Sequence, residues 1–192
     1  MNRDPRGHRL WWAERERSMM QYLDALVEAL GAEERLILMG HNVHLSKDTS
    51  RLHFHPQQSR FWGWRSWLRA LGYEAFSRLT RCPLDIGLQD GSVGSHLHER
   101  FPGQVLSIWM LYGQGTLMMP AGPRTVHLHG DTIELLLARV GDRFLLPLND
   151  ADSAAKAILS HANMRLSWGS YASADLTCQA DALYFVKDVN AL

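Results

Sequence analysis

The chain has few cysteines, no excess of charge and no secretory leader, and each absence narrows what the protein can be. Its 192 residues include only two cysteines, Cys82 and Cys178, which are too few for a disulfide scaffold. Lys and Arg total 20 and so do Asp and Glu, so no net field attracts nucleic acid or an acidic membrane. The N-terminus lacks the apolar stretch of a signal peptide. We therefore expect a cytoplasmic protein with reduced thiols that binds neither nucleic acid nor membrane.

Several motifs that define enzyme and metal classes are also missing. The sequence contains no HExxH, no Cys-x-x-Cys, no G-x-S-x-G and no phosphate-binding glycine loop. Three histidine pairs, His53/His55, His96/His98 and His127/His129, have the alternate spacing that places both rings on one face of a strand. A catalytic zinc site needs three protein ligands with supporting partners, so we expect these pairs to be surface or packing residues, with no metal and no cofactor.

Hydrophobic periodicity predicts alternating helices and strands. A helix is predicted from Glu14 to Leu30, where apolar residues follow helical spacing and Gly31 comes next. The continuous apolar run Leu36–Gly40 predicts a strand that is buried on both faces. A short helix is predicted over 92–101. A strand then follows over 105–112 and resumes at 116–119 after a Gly-Gln-Gly turn. The stretch between Arg100 and Arg124 has no charge, but its prolines and glycines exclude a membrane-spanning helix.

The remaining elements complete an α/β pattern. Asp131 is a suitable N-cap for a helix over 132–139 that ends at Gly141. Strand 144–148, helix 151–160 and a closing strand at 182–186 follow. A chain of 192 residues, of which 46% are hydrophobic, is long enough and apolar enough to bury a hydrophobic core. We predict one α/β domain over 1–192, a mostly parallel sheet flanked by helices.

An aromatic and arginine-rich segment at about 47–90 interrupts this pattern. It contains three of the tryptophans, and part of it, about Arg60 to Leu79, is predicted to form a helix. Aromatic side chains mixed with arginine can stack nucleic-acid bases, but the zero net charge favours a lid or a packing insertion.

The segment His41-Asn42-Val43-His44 is the strongest candidate for chemistry. It follows the predicted strand 36–40, and sites in parallel sheets form where strands end. A neutral imidazole can take a proton from water near neutral pH, and an amide can hold a substrate oxygen. The alternative, that these histidines only hydrogen-bond to neighbouring loops, is equally compatible with their spacing.

Several motifs follow one another along the chain in a fixed order. They are Arg15-Glu16-Arg17-Ser18-Met19, the strand into His41-Asn42-x-His44, Val93-Gly94-x-x-Leu97, Tyr112-Gly113-Gln114-Gly115-Thr116, Thr132-Ile133-Glu134, Phe144-Leu145-Leu146 and Asp181-Ala182-Leu183-Tyr184-Phe185. Their order resembles that of the erythromycin esterase family. The similarity runs from about residue 12 to the C-terminus. It corresponds to the second half of an erythromycin esterase-like domain.

The resemblance implies a hydrolase that opens a macrolactone or another small-molecule ester with histidine-assisted water. It implies catalytic roles for His41 and His44, and substrate contacts for Asn42, Arg17, Gly94 and Gly115. In the family a histidine base and glutamates come from an N-terminal half, which we expect to be missing here. Two departures, Tyr22 where the family has Asn and the long segment 47–90, indicate a different substrate or relaxed selection.

Three functional hypotheses therefore stand. The first is an esterase-type hydrolase that is incomplete alone and associates with a missing N-terminal half or with another copy of itself, since a bare half-domain exposes apolar surface. The second is a non-catalytic relative that binds a hydrophobic small molecule or a partner protein. The third and weakest is a histidine-rich metal protein.

Overall fold

The structure is a computed structural model that describes residues 5–31, 33–55, 91–119, 122–128, 130, 132–167 and 170–190. The helices are α1 (Pro5–Ala29), α2 (Val93–Arg100), α3 (Ile133–Val140), α4 (Ser153–Leu159) and α5 (Leu176–Gln179). The strands are β1 (Leu52–His55), β2 (Ile108–Met119), β3 (Gly122–Val126), β4 (Arg143–Pro147), β5 (Ala162–Ser167), β6 (Ser170–Ala174) and β7 (Ala182–Val189). A 3-10 turn, Thr49–Arg51, precedes β1.

The strands form two sheets. The larger has the order β3-β2-β7-β4, in which β2 and β7 run parallel while β3 and β4 run antiparallel to their neighbours. The smaller has the order β1-β6-β5 and is antiparallel. The predicted α/β class is confirmed. The described part of the sheet is mixed, whereas the prediction was mostly parallel, because hairpins and short returns add antiparallel strands at its edges.

Two glycines let β2 and β7 approach each other closely. A Cβ on Gly113 would lie 2.6 Å from the carbonyl oxygen of Lys187, and a Cβ on Gly115 would lie 1.7 Å from that of Val189. Gly115 also has a φ of +128°, which other residues rarely adopt. The predicted Gly-Gln-Gly turn is therefore wrong: these glycines lie inside one continuous strand and serve its packing.

One core joins the two sheets and helices α3, α4 and α5. Trp109 of β2 and Phe185 of β7 are fully buried, and Leu137 of α3 and Met164 of β5 belong to the same cluster. The predicted α3 is confirmed and ends at Gly141. Its N-cap is Thr132, whereas the predicted cap, Asp131, lies outside the described residues. The apolar face of α3 is buried on the sheet, which explains why the helix could be predicted from the spacing of its apolar residues.

The predicted buried strand over Leu36–Gly40 is wrong. These residues form no strand, and the exposed fractions of Ile37 and Met39 are 87% and 84%. Exposure alternates along the run, since Leu36 and Leu38 are each 39% exposed. A continuous apolar run becomes a buried strand only when neighbouring strands and helices cover it, and none of the described residues does so here.

The predicted insertion at 47–90 is described only over its first part. Residues 47–55 make the 3-10 turn and β1, which pairs with β6 from Leu52 opposite Ala174. The predicted helix at 60–79 lies outside the described residues. Among the described helices, none combines the length and the apolar character needed to cross a bilayer.

Candidate active site

The two predicted catalytic histidines lie on one tight turn. The amide of His44 donates to the carbonyl of His41 at 2.9 Å, and that of Leu45 donates to Asn42 at 3.1 Å. Val43 between the histidines is 3% exposed and belongs to the core. Burial of Val43 therefore fixes the turn, with the ring of His41 exposed and that of His44 partly buried.

Side-chain hydrogen bonds hold this turn to the sheet and to α2. The Asn42 side chain donates to the carbonyl of Met110 at 2.9 Å and accepts from its amide at 3.2 Å. The hydroxyl of Ser107 donates to the carbonyl of Leu45, and that of Ser92 to the carbonyl of Ser46. Asn42, which the resemblance predicted to contact substrate, is thus occupied with the backbone of β2.

Gly94 lets α2 sit directly against the turn. Its amide donates to the carbonyl of His44 at 2.8 Å. A Cβ at this position would lie 2.3 Å from the carbonyl carbon of Leu45. Gly94 therefore positions His44, which gives it a structural role at the predicted site.

A carboxylate from α1 is hydrogen-bonded to the ring of His44. Glu16 is 2% exposed, and its Oε1 hydrogen-bonds to Nδ1 of His44. Its other oxygen lies 3.4 Å from the amide of Val93, the first residue of α2. Since helix N-termini favour negative charge, this environment suits an ionised carboxylate. An ionised Glu16 accepts the Nδ1 hydrogen and so leaves the lone pair of the ring on Nε2.

The Nε2 atom of His44 faces a second group from α1. Nη1 of Arg15 lies 3.4 Å from it. The ring of His41 packs edge-on to that of His44, with centroids 6.4 Å apart. At this point Arg15 lies beside Nε2 of His44, and the ring of His41 is an edge-on neighbour of the His44 ring.

This point opens into a cavity of about 750 Å³ between α1 and residues 38–45. The cavity is lined by Arg15, Ser18, Met19, Tyr22, Leu23, Leu26, Leu38, Met39, Gly40, His41, His44, Leu45 and Val93. Its polar groups lie at the histidine end and the rest of the wall is mostly apolar. Such a site suits a small molecule with a polar reacting centre and an apolar body.

The other predicted substrate contacts lie away from this point. Arg17 is exposed on α1 and is not part of the cavity lining. Gly115 packs on β7, in the second half of β2. A substrate contact by either residue stays a prediction.

Of the histidine pairs considered for zinc, His96 and His98 have separate environments. His96 is bound to Asp24 at 2.7 Å, and burial together with Lys47 lowers the pKa of His98. His129 lies outside the described residues. Within the described residues no three His, Cys, Asp or Glu side chains are placed to hold a metal ion.

A second carboxylate–histidine pair fastens α1 to α2. Asp24 contacts both His96 and Arg100, and Arg100 also binds Glu28 at 3.1 Å. The hydrogen bond from His96 and the contact with Arg100 lower the pKa of Asp24, although partial burial opposes them. This clip holds the helix that carries Arg15 and Glu16 over the turn.

Arg15 and Glu16 belong to the first motif of the resemblance, which assigned a catalytic role to neither residue. A usable signal was present, because Glu16 lies three residues before Met19 and seven before Leu23, on the apolar face of the helix. A carboxylate at such a position is buried and needs a partner.

The fold and the buried carboxylate–histidine pair describe an α/β protein with a candidate acid–base site. A family model described as erythromycin esterase matches residues 3–189, so the chain belongs to that family, and the resemblance seen in its motifs is confirmed. Membership places it among esterase-like hydrolases at the level of the family.

Two solved structures show low similarity. A protein from Bacillus cereus is 17% identical, with a TM-score of 0.46. A protein titled succinoglycan biosynthesis protein is 19% identical, also with a TM-score of 0.46. Each alignment covers 52% of this chain and 28% of the other, so the aligned part is a minor share of those proteins. No curated protein matches the chain.

Proposed function

We propose that the protein hydrolyses a carboxylic ester or lactone, with His44 as general base and Glu16 as the residue that orients it. The observation that carries the proposal is the pair itself: Glu16 is buried behind the ring, and Nε2 is directed towards Arg15 and the cavity. A histidine held in this way is a common device for activating water.

Groups at this end of the cavity account for each proton transfer in the reaction. Nε2 of His44 takes a proton from water as the water oxygen bonds to the acyl carbon, and the carbonyl oxygen gains negative charge. Arg15 and His41 lie close enough to stabilise that charge. When the acyl carbon–oxygen bond breaks, the imidazolium returns the proton to the leaving alcohol, giving an acid and an alcohol.

The proposal includes association with further polypeptide, either a second copy or the counterpart of the family's N-terminal half. Support comes from apolar side chains outside the cavity: Ile37, Leu106 and Met110 have exposed fractions of 87%, 71% and 57%. Exposed apolar surface of this kind is usual at interfaces. Light scattering of the purified chain gives its mass in solution, and a fully active monomer would contradict this part.

Hydrolysis of p-nitrophenyl esters and of macrolactones tests the chemistry. If His44 is the base, His44→Ala lowers kcat by about a hundredfold to ten-thousandfold, the range for losing general base catalysis. Glu16→Gln lowers kcat with little change in KM, because it alters the base and leaves the cavity wall intact.

The matched control is His161→Ala, since His161 is exposed at the end of α4. Wild-type rates in that variant, together with loss in His44→Ala, support the proposal. Full activity in His44→Ala would refute it.

A further inference from the structure

The face of α1 that lines the cavity is divided into a charged end and an apolar end. Arg15, Met19, Tyr22 and Leu26 follow one another at helical spacing and all line the cavity. Arg15 lies beside Nε2 of His44, and the apolar side chains continue away from it along the helix. The cavity therefore has an axis that runs from a cation to apolar surface.

The opposite wall continues the apolar part. Leu38 and Met39 line it from the extended segment after α1, with exposed fractions of 39% and 84%. Tyr22 is 75% exposed on the facing helix. Apolar side chains left open on both walls of a cavity gain stability when a ligand covers them.

We propose that this cavity binds an apolar monocarboxylate, with its carboxylate on Arg15 and its hydrocarbon part between α1 and residues 38–39. Charge complementarity selects the ligand class, since a guanidinium takes a carboxylate better than any neutral head group. The carboxylate of Glu16 lies on the Nδ1 side of the His44 ring and beside the amide of Val93, whereas Arg15 lies on the Nε2 side, so the ring separates Glu16 from an anion on Arg15.

The ligand would replace His44 as the acceptor for Arg15. Because Nη1 lies 3.4 Å from Nε2, a carboxylate on Arg15 occupies the place where the proposed function puts the reacting acyl group. The acid product of an ester whose acyl part is apolar has this form. The link to hydrolysis rests on the proposed function, and it makes the substrate an ester of an apolar acid.

Calorimetric titration with decanoate, below its micelle concentration, tests the inference without any turnover. Decanoate should bind the wild type, and Arg15→Gln should weaken binding by about tenfold to a hundredfold, as expected for loss of a hydrogen bond to a charged group. Arg139→Gln, which removes an exposed arginine at the end of α3, is the control and should bind as the wild type does.

Two further titrations separate the head from the tail. Decanol and decyltrimethylammonium carry the same tail without the anion and should bind at least about tenfold more weakly than decanoate. Met39→Ser should weaken decanoate binding, whereas Met118→Ser, an exposed position on β2, should not. Both methionines are exposed, so neither change endangers folding.

Equal affinity of wild type and Arg15→Gln for decanoate, equal affinity for decanol, or no binding of decanoate would each overturn the inference. If decanoate binds through Arg15 but no ester is hydrolysed, the ligand class stands and the proposed function fails. If esters are hydrolysed and decanoate binds without Arg15, the function stands and the inference fails.

Discussion

Gly94 and Leu45 touch backbone to backbone, with room for a hydrogen atom and for nothing larger. The Cβ of any side chain at position 94 would lie 2.4 Å from the carbonyl oxygen of Leu45. This contact sets the distance between α2 and the turn that carries both histidines. The site therefore depends on a residue that has no side chain.

Gly94→Ala should displace the turn and loosen the His44–Glu16 pair. The expected loss is about 1–3 kcal/mol, which is usual for overpacking a tight contact. Urea denaturation measures it. Gly130→Ala is the control, because a Cβ at Gly130 meets nothing within 4 Å. Equal stability of the two variants would show that the backbone contact is dispensable.

Asn42→Asp should weaken the attachment of the turn to β2. The carboxylate can still accept from the amide of Met110 but cannot donate to its carbonyl, which it would instead repel. A loss of about 1–3 kcal/mol is expected for leaving such a group unpaired. Asn163→Asp, at an exposed position in β5, supplies the comparison. A matching change in both variants would argue against a special role for Asn42.

The Asp24 clip should give a pH-dependent contribution to stability. The folded pKa of Asp24 lies below its ordinary value of 3.8, so the unfolded state takes up the proton first as pH falls. The contribution is therefore present above that value and is lost as pH falls through the folded pKa. Asp24→Asn should destabilise the protein at about pH 6 and much less at about pH 3.

Denaturation midpoints at both pH values measure this difference, with Asp150→Asn as an exposed control. High salt should reduce the effect, since screening weakens exposed ion pairs. A destabilisation that is the same at both pH values would assign the effect to packing.

Glu134→Gln should stabilise the protein at neutral pH. Burial raises the pKa of Glu134, although the backbone amide of Arg165 donates to it at 2.8 Å and opposes the shift. Because the folded pKa lies above the ordinary value of 4.5, the unfolded state loses its proton first as pH rises. The contribution of Glu134 to the free energy of unfolding is therefore complete below pH 4.5 and is lost as the pH rises through the folded pKa.

Glutamine keeps the acceptor for Arg165 and removes the ionisation. The gain in Tm over wild type should therefore grow between about pH 5 and about pH 7.5. Glu134→Ala, which loses the acceptor and leaves a cavity, should be less stable than wild type at both. A gain for glutamine that does not change with pH would exclude ionisation as its cause.

Local patterns predicted the elements whose partners are close in sequence or strongly apolar. Helix α1, helix α3 and strand β7 were predicted because their apolar residues repeat with a helical period or form a run that the core covers. The hairpin β5–β6 was missed, since Ser170–Ala174 is built from small and polar residues and makes its strand by pairing. The strand predicted over 36–40 was wrong for the opposite reason, because no described residue covers its apolar run.

The candidate site was likewise predicted only in part from the sequence. His41, Asn42 and His44 were found together because they are adjacent in the chain. Glu16 and Arg15 lie 28 and 29 positions before His44 and contact it only because α1 packs against the turn, an arrangement that no single sequence pattern encodes.

The two hydrogen bonds between the Asn42 side chain and the backbone of Met110 bear on aggregation in concentrated solution. An unpaired strand edge invites another chain to add a strand there, which is how ordered aggregates begin. The Asn42 amide occupies a donor and an acceptor on the open half of β2. We therefore expect this one side chain to hinder the addition of a further strand at the edge beside the site.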